Sequence, residues 1–133
     1  MAGSGWTDSR PLSPHLQVWK FHATMFVSII HRVTGVAMYF GAFLITAWVI
    51  ALASGPEAYG VAETAINHPI GQIILFLWAV AVMFHLANGV KYLLWDGPKF
   101  GFSPKVASRF AIFNLAFSVV AAAGLYAYAV LVV

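Results

Sequence analysis

The sequence predicts an all-α integral membrane protein: three transmembrane helices and an interfacial N-terminal segment, forming a single membrane-anchor domain over residues 1–133. Three observations carry that reading. Of the 133 residues, 62% are hydrophobic and only 8% are charged, against roughly 45–50% and about 25% in soluble domains. So little charge cannot cover a water-facing surface. The charges are also clustered, leaving uncharged runs at 33–56, 64–90 and 110–133, each longer than the ~20 apolar residues that cross a bilayer. Finally, all seven Lys and Arg residues fall before the first run or around the link between the second and third. This pattern excludes a soluble enzyme, a disordered chain and a nucleic-acid binder, because the net charge of +3 forms no basic patch.

Span one is expected at about 25–53. It starts as a helix near Phe21 to Met25 and ends at Ser54, Gly55 and Pro56. Span two, about 70–95, follows Asn67, His68 and Pro69, with the proline suited to a first helical turn, and stops at Gly97 and Pro98. Span three runs from about Arg109 to the end, 109–133. The stretch from Glu57 to His68 is expected to hold a short interfacial turn. Trp19, Trp95, Tyr126 and Tyr128 lie near the expected boundaries, where amphipathic rings settle. Small-residue pairs such as Ala37 with Gly41 and Ser118 with Ala122 read as helix contacts.

Arg10, Lys20 and Arg32 precede span one, and Lys91, Lys99, Lys105 and Arg109 surround the second link. The positive-inside rule puts both regions in the cytoplasm or matrix, and the first link and the C-terminus in the periplasm or intermembrane space. The first twenty residues lack the features of a signal or transit peptide and are expected to belong to the working protein. No cysteine is present, so this chain can ligate no iron–sulfur centre and form no disulfide. Any iron–sulfur chemistry must sit on a partner.

An ionisable side chain inside a membrane is costly and marks a candidate site. His85 lies ten residues before Trp95, about 15 Å below the interface at 1.5 Å per residue. Its residue type and depth fit a structural histidine, a proton relay or a haem ligand; a zinc site would need more ligands. Asn88, Gly89, Tyr92 and Asp96 follow at i+3, i+4, i+7 and i+11, which places them on the same face, with Gly89 leaving room beside the histidine. A second candidate is the stripe Phe21, Met25, Ser28, Arg32 and Gly35, with His31 at i+3 from Ser28. It suits a small ligand with an apolar body and a carbonyl head, or an anion held by Arg32. An arginine snorkelling to the headgroups fits Arg32 equally well.

Three segments together resemble the cytochrome b subunit that anchors succinate dehydrogenase, respiratory complex II. They are RPLSPHLQVWK at Arg10 to Lys20, SIIHRVTG at Ser28 to Gly35, and HLANGVKYLLWD at His85 to Asp96. The resemblance covers nearly the whole chain and extends to segment order and the three-span topology. It implies that His85 is the axial ligand of haem b, at the head of the H-x-x-N-G segment, and that a second small membrane subunit supplies the other histidine. It further implies that Ser28 and Arg32 belong to a ubiquinone site that Phe21 and Met25 line, and that His31 and Arg32 lie near the haem propionates. FAD and iron–sulfur clusters would be carried by a flavoprotein and an iron–sulfur subunit, so this chain would not itself oxidise succinate. The chain departs from the family pattern at Lys91 and Tyr92, where Arg-His is usual. Lys91 keeps the charge but loses the bidentate fork, and Tyr92 cannot take up a second proton as imidazole can.

The favoured expectation is therefore a membrane-anchor subunit of succinate:ubiquinone oxidoreductase. A fumarate reductase anchor remains an alternative, as does a proton-pathway or purely structural membrane subunit. A proton pathway would call for further ionisable groups across the membrane, yet the outer half of every span lacks Asp, Glu, Lys and Arg.

Overall fold

The computed structural model describes residues 20–132, which form four helices in chain order. They are α1 (Ala23–Ala53), α2 (Pro56–Asn67), α3 (Pro69–Asp96) and α4 (Pro104–Val132). The RPLSPHLQVWK segment and the interfacial stretch expected there, Trp19 included, lie outside the described residues but for Lys20. At 31, 28 and 29 residues, α1, α3 and α4 are long and apolar enough to cross a membrane. At 1.5 Å per residue each exceeds the ~30 Å hydrocarbon thickness, which calls for tilt or projecting ends.

The breaks between helices follow local chemistry. Ser54 caps α1, its backbone N–H reaching the Ile50 and Ala51 carbonyls. Gly55 takes φ 105°, a left-handed conformation suited to glycine, and Pro56 then opens α2. The region expected to hold a short turn is thus a complete 12-residue helix, started by Pro56 and by Glu57 on the positive N-terminal end of the helix dipole. His68 ends α2 and caps α3, where its Nδ1 accepts from the Ile70 backbone N–H at 3.3 Å. Helix α3 ends at Asp96, before Gly97 and Pro98. Helix α4 starts at Pro104, five residues ahead of Arg109.

Helix α3 is central, packing on α4 and on α1, and consecutive spans run antiparallel. The first half of α1, the second half of α3 and the first half of α4 therefore share one end of the bundle, which we call the charged end. Arg32, Lys91, Lys99, Lys105, Arg109 and Asp96 all belong to it, whereas Glu57 and Glu63 sit on α2 at the other end. The apolar centre is small: Val27, Phe84 and Ala111, one from each span, with Ala23, Ile30 and Leu115 against them. Most other large apolar side chains are exposed, a surface suited to lipid or to partner helices rather than to water.

Close approach is achieved by small residues. Gly41 is buried under the Trp78 indole, where a Cβ would collide with the ring. Ala107, Ala111, Asn114, Ser118 and Ala122 form the buried seam of α4. At the far end Tyr126 donates to Gln72 Oε1 at 2.7 Å and Gln72 Nε2 donates to the Ile66 carbonyl at 3.1 Å. That chain ties α4, α3 and α2 together.

Candidate functional site

His85 sits where α3 meets α1. Its ring lies flat against His31, with centroids 3.9 Å apart and 15° between planes. The Thr34 hydroxyl lies 3.3 Å from His85 Nδ1 and donates to the His31 carbonyl at 3.0 Å. Gly35 borders the ring edge, and a Cβ there would come within 3.2 Å of His85 Cε1. One turn further along α3, a Cβ at Gly89 would meet nothing within 4 Å. Open space therefore adjoins the histidine as the glycine suggests. His31 Nδ1 is buried without a hydrogen-bond partner among the described residues, a costly condition that marks a place where a polar group from elsewhere would fit.

The polar face running from His85 along α3 divides in two. Asn88 is fully buried and turns to α4, where Asn114 Nδ2 donates to its Oδ1 at 3.1 Å. Tyr92 stays on the α1 side, its ring 5.2 Å from His31. At 3.6 residues per turn i+3 lies roughly 60° from His85 and i+7 only about 20°, so the two residues fall to different neighbours. Lys91 is only 4% exposed. Its ammonium rests 4.3 Å from the centroid of the Tyr92 ring and 4.7 Å from that of Trp95, a cation–π cage that offsets part of the burial cost. The ammonium at position 91 is thus held against the bundle's aromatic rings rather than extended outward.

The stripe on α1 forms a groove of about 360 Å³ lined by Thr24, Met25, Ser28, Ile29 and Arg32, within the roughly 300–1,000 Å³ typical of ligand sites. Met25, Ser28 and Arg32 come together as their spacing suggested. Gly35 instead faces His85, and Phe21 packs edge-on against Phe26 at 6.1 Å, outside the groove lining. The groove is open on one side and occupies the α1 face next to the one that α3 covers, so this chain supplies one wall. Ser28 precedes His31 by three residues, which links the groove to the histidine pair within one turn.

A larger apolar cavity, about 510 Å³, lies at the opposite end between α1, α2 and α3, with Gly41, Trp48, Ala62, Gly71 and Trp78 in its walls. It presents no hydroxyl, carboxylate or cationic side chain. Its polar side-chain atoms are the indole N–H groups of Trp48 and Trp78, that of Trp78 buried without a partner among the described residues, whereas the smaller groove offers a hydroxyl and a guanidinium together. Among the described residues no group of three or more His, Asp or Glu could hold a metal ion. Thr34, Thr24 and Asn114 were not singled out in the sequence. Thr34 does carry a signal, standing at i+3 from His31 inside SIIHRVTG.

Three helices long and apolar enough to cross a membrane, with a histidine pair in their charged half, describe a multi-pass membrane protein. The family model described as succinate dehydrogenase/fumarate reductase transmembrane subunit matches residues 7–125, and the chain belongs to that family. It is 39% identical over 88 residues to the succinate dehydrogenase cytochrome b556 subunit of Paracoccus denitrificans, covering 66% of this chain and 68% of the relative. The same subunit of Rickettsia felis is 38% identical over 101 residues, 76% and 77% of the two chains. The mitochondrial cytochrome b560 subunit of Mus musculus is 32% identical over 92 residues, 68% of this chain and 54% of the relative. The chain is accordingly a membrane-anchor subunit of the complex II type.

Proposed function

We propose that this subunit co-ligates haem b through His85 and forms one wall of a ubiquinone-reduction site at the Ser28–Arg32 groove. The observation that carries the reading is the junction of the two: a polar-and-apolar groove one helical turn from the intramembrane histidine pair, both in the charged half of the bundle. Partners would be a flavoprotein subunit, an iron–sulfur subunit and a second small membrane subunit that supplies the other haem histidine.

The residues present fit a haem. His85 offers Nε2, since Nδ1 is engaged by Thr34. Gly89 leaves space beside it, and the unpartnered His31 Nδ1, with the neighbouring Arg32, is the proposed partner of a propionate. When bound, haem b supplies a one-electron store close to the quinone. The chain's own residues do the rest. Met25 and Ile29 hold the apolar body of the quinone, Ser28 donates to a carbonyl oxygen, and Arg32 stabilises negative charge that develops there. Reduction of the quinone to quinol takes two electrons from the iron–sulfur partner and two protons from water, which favours a site near the membrane surface.

Ser28→Ala is expected to slow succinate-driven quinone reduction about tenfold, the equivalent of one lost hydrogen bond, and to leave succinate oxidation by a soluble artificial acceptor unchanged. Equal loss of both activities would overturn the assignment of Ser28. The charge pattern further supports an N-terminus in the cytoplasm or matrix of a bacterial inner or mitochondrial inner membrane. Reporter fusions at Val133 and within 57–67 are expected to read periplasmic or intermembrane; a cytoplasmic signal from both would contradict it.

A further inference from the structure

Thr34 is 8% exposed, and its hydroxyl stands between two groups. The hydroxyl has one proton and two lone pairs. That proton goes to the His31 carbonyl, 3.0 Å away within the same helix, and a carbonyl only accepts. The same oxygen is 3.3 Å from His85 Nδ1. With its proton donated to the His31 carbonyl, Oγ1 engages Nδ1 as an acceptor, which assigns the proton of that bond to Nδ1. A neutral imidazole has a single N–H, and its Nε2 is then bare.

We infer that Thr34 is a positioning residue that fixes the tautomer and orientation of His85 and presents the bare Nε2 to the haem iron. This inference rests on the proposed role of His85 as haem ligand. Two further contacts restrict the ring: the flat stack on His31 fixes its plane, and Gly35 borders its Cε1 edge. Turning the ring over would put a C–H against the Thr34 hydroxyl and lose the bond. Such an acceptor at the non-ligating nitrogen also raises the basicity of the ligating one, which favours oxidised iron. No residue on α3 itself could supply this contact in the same way, because α3 carries no hydroxyl between Gln72 and Tyr92.

The test uses the purified whole complex with Thr34→Val, which keeps the branched shape and removes the hydroxyl, and Thr34→Ser, which restores it. Thr34→Val is expected to raise the haem midpoint potential, alter the low-spin spectrum and weaken haem retention about tenfold, the lower range for losing such a supporting contact. Thr34→Ser is expected to match the unaltered complex in all three. An unchanged potential and spectrum in Thr34→Val, or a serine variant no better than valine, would overturn the inference. His85→Leu separates the two levels: if it leaves the b-type spectrum intact, the haem reading itself fails. If His85→Leu abolishes the spectrum while Thr34→Val changes nothing, only the role of Thr34 fails. Should the valine variant not assemble, an experimental map of the unaltered haem-loaded complex decides. Nε2 on iron with Nδ1 beside the Thr34 hydroxyl supports the inference; iron bound through Nδ1, or a hydroxyl turned away, overturns it.

Discussion

In the charged half of the bundle the helices meet through polar side chains: His31 stacks on His85, Thr34 touches both, and Asn114 reaches Asn88. In the other half α1 and α3 meet through a missing side chain, Gly41 beneath Trp78, beside a cavity whose walls are apolar but for the indoles of Trp48 and Trp78. Helix–helix contact in lipid gains little from apolar burial alone and depends on close packing and interhelical hydrogen bonds. Both halves use both, in different proportion: polar contacts dominate the charged half, whereas in the other the Tyr126–Gln72–Ile66 chain is the polar tie beside the Gly41–Trp78 approach. The buried polar side chains that would be costly in hydrocarbon are gathered mainly where chemistry is proposed.

The largest expected effect breaks the comparison on its polar side. His85→Leu is expected to abolish the low-spin b-type absorption of the purified complex, while the complex still assembles through its remaining contacts. Absorption spectroscopy of the two preparations at equal protein checks this.

A change at the other half separates packing from chemistry. Gly41→Leu drives a side chain into the Trp78 indole and is expected to cost about 1–3 kcal/mol of stability. It should lower the thermal midpoint of the complex without moving the haem absorption maximum. A shifted maximum would mean that the two halves are not independent.

The smallest effect concerns the α3–α4 contact. Asn88→Leu and Asn114→Leu, singly and together, form a double-mutant cycle whose coupling is expected at about 0.6 kcal/mol, typical of interhelical hydrogen bonds. Additive single effects would show that the amide contact contributes nothing specific.

The spans were legible because charge clusters bracket them and because Pro56, Pro69, Gly97 and Pro98 mark their ends. The mixed composition of the 57–68 stretch, with Gly60 inside it, predicts only a short interfacial turn, although Pro56 and Glu57 carry a helix-start signal. The groove was legible as a stripe on a single helix. The pairing of Thr34 with His85 was not, because the two are 51 residues apart and the facing of α1 on α3 is set by which small residues allow approach. Asn88 and Tyr92 show the same limit: helical spacing put them on one face with His85, and the positions of two neighbouring helices divided them.

Quinone is proposed to bind in the polar half and not in the larger, mostly apolar cavity. A photoreactive ubiquinone analogue bound to the intact complex, cross-linked and mapped by peptide mass spectrometry, tests it directly. Label is expected within 24–32, reduced by Ser28→Ala and by excess ubiquinone. Specific label on Trp48 or Trp78, competed by ubiquinone and insensitive to Ser28→Ala, would contradict it.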